Sequence, residues 1–193
     1  MSLGPDDPEN QGRAIMSELT SGSTKPGLHA LHVVTTSAAD TALLGLLLAN
    51  LLAPGTVISL DGDLGAGKTA LTRGIADGLG CQTPVSSPTF TLLMEHPATG
   101  SGIALYHFDV YRLTSAEDFL ALGLDDYFFR EGICIIEWGT RIEDILPLST
   151  LKILIRLTAP QTPQQRVLTL FWPDHEKELA LLERRWHDAH PGI

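Results

Sequence analysis

Between Val57 and Leu79 the chain passes without interruption through an apolar stretch, a glycine-rich turn and an amphipathic segment, and few folds accept that order. The apolar stretch is Val57-Ile58-Ser59-Leu60, followed by Asp61. The turn reads Gly62-Asp63-Leu64-Gly65-Ala66-Gly67-Lys68-Thr69, and beyond it Leu71, Ile75 and Leu79 recur at helical spacing. Strand, turn and helix in this arrangement are a G-x-x-x-x-G-K-[ST] phosphate-binding loop in the context it requires. Glycines let the backbone curl until its N–H groups converge on phosphate oxygens, and the helix behind adds the positive end of its dipole. The pattern assigns Asp63, Leu64, Gly65, Ala66, Gly67, Lys68, Thr69 and Ala70 to nucleotide binding. Lys68 is expected to reach the β- and γ-phosphates and the Thr69 hydroxyl to ligate Mg²⁺. Such a motif arises by chance in roughly one chain in a hundred of this length, and the flanking strand and helix lower those odds further.

The 193 residues suit one domain with its own core, and 44% hydrophobic against 19% charged residues read as globular. Residues 1–28, rich in Gly, Pro, Ser, Asp and Glu, are expected to form a flexible tail; 29–193 are expected to be a single P-loop ATPase domain including a C-terminal helix. Net charge is −10, from 13 basic and 23 acidic residues, with no basic stripe. Phosphate neutralisation supplies most non-specific nucleic-acid affinity, so stand-alone nucleic-acid binding is not expected; work on RNA would go through a partner. Cys81 and Cys134 form no C-x-x-C, and the seven histidines show no metal-binding spacing, so both sets read as structural. The N-terminus lacks a signal core, and leucine-rich Ala42–Ala53 is too short to span a bilayer, which points to the cytoplasm and away from membranes.

In order along the chain, Leu31–Thr36 predicts a strand, and Ser37 caps a helix running to about Leu52. Gly80 stops the helix behind the loop. Thr89–His96 and Ile103–Asp109 predict an antiparallel pair, and Ser115 a short helix ending near Gly123. Gly132–Glu137 is an unbroken apolar run ending in a carboxylate, as a buried parallel strand opening onto a site would read. Leu151–Thr158 and Arg166–Trp172 predict a hairpin across the Pro160–Pro163 turn, and Asp174 caps a charged, exposed last helix through Ala189. The fold class is α/β, a P-loop NTPase-type mixed, mostly parallel sheet with helices on both faces and the nucleotide at the carboxyl ends of the strands. A site of this kind needs a carboxylate near Mg²⁺ and a group to orient the attacking water. Asp109 and Glu137 end two strands and supply them, though spacing alone does not say which is which.

Four blocks in series then become recognisable: the loop with Thr72-Arg73-Gly74 after it, Ser87-Pro88-Thr89-Phe90-Thr91-Leu92, Tyr106-His107-Phe108-Asp109-Val110-Tyr111-Arg112-Leu113, and Glu137-Trp138. Their order and spacing, from about Thr35 to Arg166, resemble the TsaE family of tRNA threonylcarbamoyladenosine biosynthesis ATPases. The resemblance implies a cytoplasmic ATPase that uses ATP and Mg²⁺, supports modification of adenosine 37 of tRNA, and works with TsaD-like and TsaB-like proteins. It would touch tRNA only through that complex. By motif, Thr69 and Glu137 would hold Mg²⁺, Asp109 would poise the water or read the γ-phosphate, and Lys68, Asp109 and Glu137 would form the catalytic set. Ser87–Phe90 would be a switch-like loop, Trp138 would sit near the nucleotide or a partner, and Thr41 and Arg166 would contact the nucleotide. No role transfers to Gly139-Thr140-Arg141-Ile142. The competing readings are a small P-loop kinase, which would call for clustered arginines not seen between Glu137 and Trp172, and a nucleotide-gated binding module.

Overall fold

The computed structural model describes residues 29–158 and 164–190; the tail at 1–28 and the Pro160–Pro163 turn lie outside the described residues. Strand β1 (Ala30–Thr35) leads to helix α1 (Ala38–Ala49), β2 (Val57–Gly62), helix α2 (Lys68–Leu79), β3 (Leu93–His96) and β4 (Leu105–Asp109). Then come α3 (Ala116–Ala121), a 3₁₀ helix over Asp125–Phe129, β5 (Ile133–Glu137), a second 3₁₀ helix over Gly139–Ile145, β6 (Leu151–Leu157), β7 (Arg166–Phe171) and α4 (Glu176–Ala189). One sheet holds all seven strands in the order β1-β7-β6-β2-β5-β4-β3. The central strands β6, β2, β5 and β4 pair in parallel, and the antiparallel pairs lie towards the edges. The mixed sheet and the helices on both its faces are those expected for the fold class.

Strand β5 shows why the sheet must be covered on both sides. Ile133 and Ile135 face a core shared with Leu44 and Leu48 of α1 and Leu71 and Ile75 of α2. Cys134 and Ile136 face a second core with Phe108, Phe119 and Phe128. Period-two alternation with apolar residues on both faces leaves no solvated side. Helices α1 and α2 meet almost backbone to backbone. A Cβ at Gly74 would stand 1.8 Å from the Ala42 carbonyl oxygen, and one at Gly45 would stand 2.4 Å from that of Leu71. Gly74, legible only as part of a motif block, is thus a packing residue that draws α1 against the helix behind the loop.

The element boundaries moved where local hydrogen bonds prevail. Thr89–Leu92 is not strand: the N–H groups of Thr91 and Leu92 both donate to the Pro88 carbonyl (3.0 and 2.8 Å), and Leu92 takes φ 67°. Ser37 caps α1 as expected, accepting from the Asp40 N–H at 3.0 Å. Ser115 precedes α3 without a side-chain cap, and Asp118 instead accepts from the Thr114 N–H and hydroxyl (2.9 and 2.6 Å). Asp174 does not cap α4; it sits at φ 62°, and His175 occupies the cap position. Nor is α4 wholly exposed, because Leu179, Leu182 and Trp186 join the core beneath it. Among the described residues no helix is long and apolar enough to cross a membrane.

Candidate functional site

Strands β2, β4 and β5 run in parallel, with Leu60 and Asp109 each in register with Glu137, so their carboxyl ends open at one edge. There a cavity of about 530 Å³ is walled by Leu64–Thr69 on one side and by Ser87, Thr89, Asp109, Tyr111, Glu137 and Trp138 on the other. The loop owes its path to residues that lack a side chain. Gly62 lies at φ 148°, where a Cβ would meet the Ile155 carbonyl at 2.5 Å, and Gly67 begins α2 at φ 114°. Gly67 offers no side-chain cap, so the first N–H groups of α2 are left for an acceptor at the helix N-terminus.

Lys68 folds back into this concavity. Its ammonium donates to the carbonyls of Gly62 (2.7 Å) and Asp63 (3.2 Å) and lies 4.1 Å from the centre of the Trp138 ring. Burial pushes its pKa down, against the opposing pull of Glu137, Asp109, Asp61 and Asp63. The Thr69 hydroxyl donates to Glu137 Oε1 at 3.5 Å, and the same oxygen is 2.9 Å from His107 Nε2. Asp109 accepts on Oδ2 from Thr89 (2.7 Å) and Ser87 (3.2 Å), and on Oδ1 from the Tyr111 N–H (3.0 Å). The Ser87–Phe90 loop is therefore fastened to a strand-end carboxylate.

The expected site residues divide into two tiers. Leu64 through Thr69, Asp109, Glu137 and Trp138 line the cavity, with Asp63 and Ala70 at the ends of the loop. Thr41 and Arg166 do not line it. Thr41 is fully buried, its hydroxyl between Thr35 Oγ1 (2.9 Å) and the Ser37 carbonyl (3.0 Å), and its methyl beside Gly67. Arg166 donates from Nε to the Ala66 carbonyl at 3.2 Å. Both touch the loop itself, at Gly67 and Ala66.

Three features escaped the sequence reading. Buried Asp61, just before the loop, accepts from Ser59 (2.8 Å) and from the hydroxyl and N–H of Thr140 (2.8 and 3.2 Å). Burial pushes its pKa up while these hydrogen bonds resist. Thr140 therefore has a place in the site, tying β2 to the segment after Trp138, itself at φ 65°. Tyr111 packs at a tilt against Trp138, ring centres 5.2 Å apart. His107 shares the strand face of Asp109, and that period-two position is the signal that could have singled it out.

Among the described residues no three His, Cys, Asp or Glu side chains gather as a metal cage. That is compatible with Mg²⁺, which keeps several waters and takes only one or two protein oxygens beside substrate phosphates. The Thr69 hydroxyl and Glu137 carboxylate are hard oxygen donors at adjacent positions and fit that role.

A family model described as threonylcarbamoyl adenosine biosynthesis protein TsaE matches residues 35–167. A tRNA threonylcarbamoyladenosine biosynthesis protein TsaE of Treponema pallidum is 44% identical over 129 residues, covering 67% of this chain and 93% of that protein. Its namesake in Bacillus subtilis is 39% identical over 155 residues, covering 80% of this chain and 93% of its own. The crystal structure of Bacillus subtilis YdiB is similar with a TM-score of 0.67 at 35% sequence identity, over 83% of this chain and 99% of that one.

Proposed function

This chain belongs to the TsaE family of tRNA threonylcarbamoyladenosine biosynthesis proteins, and from that premise we propose that it is an ATPase that binds and hydrolyses Mg-ATP in the cavity over Gly62–Thr69. Hydrolysis supports threonylcarbamoylation of adenosine 37 of tRNA, in the cytoplasm, with TsaD-like and TsaB-like partners; tRNA is met through that complex. The observation that carries this reading is convergence: a buried ammonium, a threonine hydroxyl and two strand-end carboxylates from separate elements face one cavity.

In this reading Lys68 leaves the carbonyls of Gly62 and Asp63 for the β- and γ-phosphates, which are stronger acceptors for a buried cation. Thr69 and Glu137 hold Mg²⁺, which when bound neutralises charge between the β- and γ-phosphates. Asp109, held on both oxygens by its neighbours, orients the attacking water. Thr41 and Arg166 hold the loop at Gly67 and Ala66 and contact the nucleotide from there. Trp138 and Tyr111 form the aromatic wall beside the phosphates.

The test is steady-state phosphate release from Mg-ATP with the partner pair present, alongside a screen of nucleosides, nucleotides and sugars for phosphorylated products. Phosphate release without a phosphorylated acceptor is the expected result. A phosphorylated acceptor would make the chain a kinase, and nucleotide binding without release would leave a gated binding module.

A further inference from the structure

We infer that His107 is a positioning residue, which holds the Glu137 carboxylate in place as an Nε2–H donor whose tautomer is set by a buried link to His96 and Thr83. This rests on the reading of Glu137 as a Mg²⁺ ligand. His107 is fully buried, and its Nε2 lies 2.9 Å from Glu137 Oε1, the oxygen that faces Thr69. A carboxylate can only accept, so a neutral imidazole bound to it there must carry its proton on Nε2. That leaves His107 Nδ1 as an acceptor, and this buried atom has no partner among the described residues. The Nε2 of His96, 1% exposed, is likewise buried without a partner among the described residues. The two rings are neighbours, with centroids 6.2 Å apart, and a water between them would give both nitrogens a partner. Thr83 Oγ1 lies 2.6 Å from His96 Nδ1. With that water in place a chain of donors would close: Thr83 to His96, His96 through water to His107, and His107 to Glu137. Burial lowers the pKa of His96, in keeping with a neutral ring.

Hydrogen bonds to a metal-binding carboxylate orient it, and their removal typically costs about 10- to 100-fold in metal affinity. The experiment is calorimetric titration of ATP into the full chain across a Mg²⁺ series and in excess chelator. For His107→Leu the Mg²⁺ concentration that half-maximally strengthens binding should rise by about 10- to 100-fold, with binding in chelator unchanged. His107→Gln, whose amide N–H reaches close to the Nε2 position, should stay within a few-fold of the parent. Equal impairment in both variants, or none in His107→Leu, would overturn the inference. Glu137→Gln separates the two layers. If it leaves the Mg²⁺ dependence unchanged, the metal reading fails and takes the positioning role with it. If it shifts the dependence while His107→Leu does not, the positioning role alone fails. Nitrogen-15 spectra of histidine-labelled protein should show His107 as the Nε2–H tautomer; an Nδ1–H tautomer would refute it independently.

Discussion

Adding TsaD-like and TsaB-like proteins is expected to raise steady-state phosphate release by about 10³–10⁵-fold, the range a supplied arginine gives to a P-loop hydrolase that lacks one. The charge that spreads over the transferring group must be met by a cation, and among the described residues Lys68 is the only basic side chain lining the cavity. The arginines nearest the motif blocks already have partners, and Arg166 alone has its partner on the loop. Arg73 donates to the Val85 carbonyl (3.4 Å), Arg141 to that of Leu113 (3.1 Å) and Arg166 to that of Ala66 (3.2 Å), while Arg112 stacks 4.6 Å from the Phe90 ring centre. Phe90 and Leu64 are 86% and 91% exposed at the mouth of the site, apolar surface that a docked partner could cover. Docking there would act on the Ser87–Phe90 loop and, through Ser87 and Thr89, on Asp109. Phosphate release measured on the protein alone and then with the partner pair decides the matter. Equal rates would reject partner activation, and fast turnover alone would mean that the chain carries a complete site.

Asp109→Ala is expected to lower turnover by about 10²–10⁴-fold, the usual contribution of a positioned acid–base group, while ATP affinity stays within a few-fold. Asp109 stands beside Glu137 on the neighbouring strand, but its contacts are with Ser87, Thr89 and the Tyr111 N–H rather than with Thr69. In the proposed reading it belongs with the Ser87–Phe90 loop and the water, and Glu137 with the metal side of the site. Glu137→Ala should show the complementary pattern, weakening the Mg²⁺-dependent part of nucleotide binding. Single-turnover phosphate release and nucleotide titration on both variants separate the two effects. Unmodified turnover in both, in the partner complex, would remove the strand-end carboxylates from the chemistry.

What could be read in the chain was whatever a short window fixes. The strand–loop–helix from Val57 to Leu79 is specified by glycine spacing and helical periodicity, and it appears as expected. The apolar run ending at Glu137 likewise announced a strand buried on both faces. What escaped were contacts that join residues distant in sequence. Thr140 reaches Asp61 and His107 reaches Glu137 only once the sheet order is set, and no periodicity encodes that order. Asp174 failed as a cap because the chain leaves β7 with Trp172 stacked on His175, ring centres 4.2 Å apart, and that packing sets where α4 begins. Thr41 and Arg166 were placed near the nucleotide on resemblance alone, and the fold brings both against the loop, at Gly67 and Ala66.

The central claim is that the Gly62–Thr69 loop binds the phosphates of ATP through Lys68. Lys68 is 5% exposed and donates to backbone carbonyls beside an aromatic face, so phosphate oxygens are the stronger hydrogen-bond partner for its charge. Removing one charge-assisted contact of this kind costs about 1.5–3 kcal/mol, which corresponds to roughly a 10- to 100-fold loss of affinity. Calorimetric titration of Mg-ATP into the parent protein and into Lys68→Ala measures it directly. The expected result is saturable binding by the parent, weakened about 10- to 100-fold in the variant. Unchanged affinity in Lys68→Ala, or no binding by the parent, would contradict the assignment of this loop as the ATP site.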